Sequence, residues 1–125
     1  MKIAAIATAL AVSIATPAFA QSNGTLDTFV ARANRIPLNP LAALRPDARR
    51  LMNEANAAFT AVGTDIRADR AAGRRPVACP PGEMQVNPRQ LLAFLNAIPQ
   101  ARRARMTPTD GIREWVAHRY PCPAA

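Results

Sequence analysis

Histidine occurs once in this 125-residue chain, lysine once and cysteine twice, and Ser22 is the only serine after residue 20. These scarcities remove most catalytic chemistry. A zinc site draws on several nitrogen or sulfur ligands, and His118 with two cysteines expected to pair cannot supply them, so neither metal nor cofactor is expected. No glycine-rich phosphate loop, serine nucleophile motif or dinucleotide fingerprint is present among the five glycines. The candidate carboxylates Asp65 and Asp69 lie four positions apart, but each has arginine neighbours, and ion pairing accounts for them. His118 falls near the end of a predicted helix, where an imidazolium interacts favourably with the dipole, and reads as a surface or capping residue. The chain is therefore not expected to be an enzyme.

Aromatics are also few. After residue 20 only Phe29, Phe59, Phe94, Trp115 and Tyr120 remain, too few for the base-stacking platforms of a nucleic-acid binder. After residue 20 no apolar run approaches the roughly 20 residues needed to span a bilayer. The one extended apolar run is at the start. Lys2 is followed by a weakly polar to apolar stretch from Ile3 to Ile14, then Pro17, then the small-x-small pattern Ala18-Phe19-Ala20. This is the layout of a cleaved signal peptide over residues 1–20, and it predicts export, first to the periplasm. Residues 21–125 then suffice for one compact domain.

In an oxidising compartment two cysteines read as one disulfide, Cys79 to Cys122, separated by 43 positions. The competing reading, a free thiol with His118 as its base, needs the cysteine unpaired. Charge is one-sided. With Lys2 removed, fifteen arginines face eight acids, and the formal net charge falls from +8 to +7. Arginine's planar fork suits carboxylates and phosphates, and the excess favours an acidic partner; an arginine-for-lysine bias is equally what a GC-rich genome produces. The tract Arg102-Arg103-Ala104-Arg105 places three guanidinium groups on a short connector and is the candidate partner-binding feature, against the reading of a solvated hinge.

Hydrophobic spacing is helical throughout, with no sustained period-two alternation. Thr25 caps a short helix carrying Leu26, Phe29, Val30 and Ala33. Ile36-Pro37-Leu38-Asn39-Pro40 forbids regular helix, Leu41 to Leu44 allow one turn, and the segment reads as a connector with buried leucines. From Pro46 a long helix carries the stripe Leu51, Ala55, Ala58, Phe59, Val62 and Ile66, with Gly63 as a point of weakness and Gly73 just past its end. Arg49, Arg50, Asn53, Glu54, Arg67 and Arg70 form its solvated back. Asn87-Pro88-Arg89-Gln90 starts the next helix, with Leu91, Leu92, Leu95 and Ile98 buried and Pro99 as its stop. Thr107-Pro108-Thr109-Asp110 starts the last, with Ile112, Trp115, Val116 and Tyr120 on one side. An all-α bundle of about four helices with one disulfide is predicted.

The second half has a distinctive layout: Cys79-Pro80-Pro81, the Asn87-Pro88 start, Leu91-Leu92-Ala93-Phe94-Leu95, Pro99, an acid-capped helix holding Trp115, and Tyr120-Pro121-Cys122. Over residues 79–122 it resembles the Rap/Tai family, periplasmic immunity proteins that protect bacteria against amidase effectors of type VI secretion. The resemblance implies a small helical domain with Cys79 and Cys122 paired, no enzymatic activity, occlusion of a peptidoglycan amidase, and possible homodimers. The alternative is an envelope-associated structural or adaptor protein that binds anionic lipid or cell-wall polymer through its positive surface.

Overall fold

The computed structural model describes residues 24–124, so the export signal read over residues 1–20 lies outside the described residues. Local chemistry sets the helix boundaries. Helix α1 (Leu26–Asn34) begins where the Thr25 hydroxyl accepts from the Thr28 amide at 3.2 Å. A short 3-10 turn (Pro40–Leu44) is capped by the Asn39 side chain, which accepts from the Ala42 amide at 2.9 Å. Helix α2 (Pro46–Ala71) starts on proline with Asp47 in its first turn, and the Arg45 guanidinium beside Asp47 holds its carboxyl below the ordinary carboxylate range. It runs unbroken through Gly63. Gly73, at φ 71°, then lets the Arg74 amide reach the Asp69 carbonyl and the Gly73 amide the Arg70 carbonyl, the paired closing bonds of a Schellman motif.

Helix α3 (Pro88–Ala97) is capped by Asn87, which accepts from the Arg89 and Gln90 amides. Pro99 ends its path, yet residues 102 and 103 do not form the expected connector. Gln100–Arg103 closes into a one-turn helix, α4, whose Arg102 and Arg103 amides both bond the Pro99 carbonyl. That makes five α-helices among the described residues, within one of the four expected. Helix α5 (Pro108–Arg119) opens with a reciprocal capping box: the Thr107 side chain accepts from the Asp110 amide at 3.1 Å, and Asp110 accepts from the Thr107 amide at 3.0 Å. The described residues contain no strand.

The core gathers Leu26, Phe29 and Val30 of α1, Ala58, Val62 and Ile66 of α2, Leu91 and Leu95 of α3, and Ile112, Trp115 and Val116 of α5. Burying each large side chain contributes roughly 1.5–3 kcal/mol. The most extensive helix pairing is α2 with α5. At the start of α5, Gly111 lies against α1 and α3: a Cβ there would sit 2.7 Å from both Leu26 methyls and 3.2 Å from Leu95 Cδ2. The same junction is pinned by the Leu26 amide donating to the Met106 carbonyl at 2.7 Å.

Cys79 and Cys122 are joined in a disulfide. The Cys79 amide donates to the Tyr120 carbonyl at 2.9 Å, and Arg75 reaches the Pro123 carbonyl at 3.0 Å. The chain leaving α2 is thus held to the end of α5 by one covalent and two hydrogen bonds.

Candidate functional site

The stripe read along α2 divides in two. Ala58, Val62 and Ile66 are buried under α5, while Leu51, Ala55 and Phe59 are only half-buried. The first half of the helix buries Ala48 and is otherwise only partly covered. The chain that approaches it is interrupted by Pro37 and Pro40, and the 3-10 turn they impose buries Ala42 while leaving Leu41 76% and Leu44 68% exposed. A second irregular stretch, residues 83–87, flanked by Pro81 and Pro88, runs beside it without helical structure. Between these segments, α2 and α3 lies an open groove of about 1220 Å³. Its interior is apolar, with Phe29, Leu51, Ala55, Phe59 and Leu91 at the base. Leu38, Met52 and Val86 line it and are also strongly exposed.

An aromatic frame supports one wall. Phe59 and Trp115 meet edge to face at 5.7 Å, Trp115 and Tyr120 likewise at 6.4 Å, and the Tyr120 hydroxyl accepts from the Gln85 amide at 3.2 Å. The packed core of α5 therefore positions the exposed 83–87 segment. Arg89 spans the opening, donating to the Leu38 carbonyl at 3.4 Å. Arg89 and Arg119 line the groove with a single carboxylate, Glu83. Neither arginine forms a salt bridge among the described residues, and Arg119 rests over the Tyr120 ring. Arg35, which precedes Ile36, and Arg49 and Arg50, which precede Leu51, also lack carboxylate partners there.

The arginine tract singled out in the sequence is disposed differently. Arg103 turns inward, its side chain only 15% exposed, and pairs with Asp27 at 3.1 Å while donating to the Asn96 and Ile98 carbonyls. It clamps the start of α1 to the end of α3. Arg102 pairs with Glu114 of α5. Arg105 is exposed and forms no salt bridge among the described residues. Three guanidinium groups within four residues thus occupy three different settings, with Arg103 turned inward and Arg102 and Arg105 left exposed.

His118 is exposed and lies against the Phe94 ring at 5.1 Å. Asp65 pairs with Arg113 and Asp69 with Arg74, each at 3.0 Å. Among the described residues no three His, Cys, Asp or Glu side chains gather as metal ligands, and no helix is long and apolar enough to cross a membrane. The groove is the feature that sequence reasoning missed. The connector leucines, expected to be buried, are exposed instead, because the 3-10 turn that follows Pro37 and starts at Pro40 turns only Ala42 inward. No protein-family model matches the chain, and no curated protein or solved structure is significantly similar to it.

Proposed function

We propose that this is an exported binding protein of the immunity type, which occupies and occludes a peptidoglycan amidase in the periplasm without covalent chemistry. The observation that carries the reading is the open apolar groove with arginines at its edge, a surface built for a protein partner rather than for a reaction. Interface cores are apolar with arginine enriched, and charge complementarity adds rate and selectivity. The disulfide supports export, since such bonds persist in oxidising compartments. A stable inhibitory complex would cover upward of about 1,000 Å², which requires contacts continuing from the groove onto Leu41 and Leu44.

The test is a pull-down from native periplasm with the oxidised protein, washed at low and high salt and read by mass spectrometry. A cell-wall hydrolase retained at high salt supports the immunity role. A second reading, an envelope adaptor on anionic lipid or polymer, draws on the carboxylate-free arginines of α2. It predicts binding that collapses as salt rises, because exposed charges are screened over about 10 Å at 0.1 M. Recovery of acidic polymer or lipid alone, lost at high salt, would replace the first reading with the second.

A further inference from the structure

We infer that the groove receives an acidic amphipathic α-helix of the partner protein, its aliphatic stripe seated over Leu51, Met52 and Phe59 and its carboxylates meeting Arg89 and Arg119. The inference rests on the binding-protein reading above and specifies the chemistry of what is bound.

Size comes first. At about 1220 Å³ and open to solvent, the groove exceeds the roughly 300–1,000 Å³ of small-molecule pockets. Its apolar lining also runs out to Leu38, Met52 and Val86, which remain 46%, 50% and 39% exposed. An occupant broader than a single acyl chain is needed to cover them. Secondary structure narrows the form. Strand addition needs an exposed sheet edge, and the described residues have no strand to offer one. A helix laid in a groove needs only an apolar trough for side chains spaced three and four apart, which the half-buried face of α2 supplies.

Charge narrows the identity. Arg89 and Arg119 face the groove against Glu83 alone, with Arg35, Arg49 and Arg50 on the elements that build it. A second copy of the chain would bring the same arginine excess to the contact and be repelled. Residues 1–23 contain no aspartate or glutamate, so the chain's own beginning offers nothing to those guanidinium groups. An acidic helix satisfies both the apolar base and the basic edge.

The experiment uses the oxidised protein and a fluorescent synthetic helix with a leucine stripe flanked by glutamates, compared with the same peptide carrying lysines, by anisotropy. The glutamate helix is expected to bind, and the lysine helix at least about tenfold more weakly. Met52→Glu and Arg89→Glu, both at exposed positions, should each weaken binding about tenfold. Arg67→Glu changes net charge equally but lies away from the groove, and should change binding less than about twofold. Failure of the glutamate helix to bind, or equal effects of Arg67→Glu and Arg89→Glu, overturns the inference. So does retention of phosphatidylglycerol vesicles, but not peptide, in a Met52-dependent manner. Hydrolase capture that survives Met52→Glu would likewise overturn the groove assignment while leaving the proposed function standing. Peptide binding without any hydrolase capture would do the reverse.

Discussion

The two ends of α2 show how one helix can be sealed along one half and left partly open along the other. Its second half lies beneath α5, closed in by Trp115 and Val116 and bounded by the disulfide, the Schellman turn at Gly73 and the Cys79–Tyr120 backbone bond. Its first half faces a 3-10 turn and an irregular stretch, each bordered by prolines, and leaves Met52 50% exposed. The stripe has similar apolar character at both ends. What differs is the neighbour: a regular helix can lay a complementary ridge along α2, and a proline-broken segment cannot. Apolar surface that the fold leaves uncovered in this way is available for a partner.

That contrast is sharpest at the disulfide. Replacing both Cys79 and Cys122 by serine should cost about 4 kcal/mol through the entropy of the opened loop, a loss of some tens of degrees in Tm for a domain of this size. Circular-dichroism melts would read it, and a Tm within a few degrees of the parent would mean that the closed end holds without its bridge. Next in size is Arg103→Met, which strands Asp27 and two carbonyls and should destabilise by about 2 kcal/mol. Arg105→Met should cost less than about 0.5 kcal/mol. Equal urea midpoints for the two variants would contradict the division of the tract described above.

Gly111→Ala gains about 1 kcal/mol of helix propensity but forces a methyl against Leu26, which is fully buried and has nowhere to move. A net destabilisation of about 1–2 kcal/mol is expected from overpacking, and a stabilised variant would show that the α1–α5 junction can relax. The smallest effect belongs to the open end. Leu41→Gln with Leu44→Gln should leave the chemical-denaturation midpoint within about 0.5 kcal/mol of the parent, because these side chains are already in water. A large loss there would mean that the groove region carries stability and the two ends of α2 are not distinct in the way described.

Much of this was legible residue by residue. Thr25, Asn87 and Thr107 act at short range through their own side chains, and Pro46 and Gly73 through backbone geometry, so the starts of α1, α3 and α5 and both ends of α2 follow from local chemistry. The pairing of Cys79 with Cys122 needed only a count of cysteines and the expectation of an oxidising compartment. Helix α4 was not legible, because Pro99 offers no capping side chain and the turn is fastened by Arg103 reaching two carbonyls of the preceding helix end. The candidate site was not legible, since the connector leucines beside it read as buried. Which half of an apolar stripe is covered depends on the path of chain segments far away in sequence, and no periodicity within α2 records it.

By itself the sequence determined that the chain is helical, where most helices begin and end, which faces are apolar, that one disulfide closes the second half, and that arginine outnumbers acid. These are properties of single residues and of neighbours within a turn or two. Only the tertiary structure decided that α5 covers one half of α2 and leaves the other open, that Arg103 is spent on an internal clamp while Arg89 and Arg119 border a groove, and that Tyr120 props up the wall beside it. Long guanidinium side chains and partly covered helix faces take their roles from whichever segment packing brings within reach.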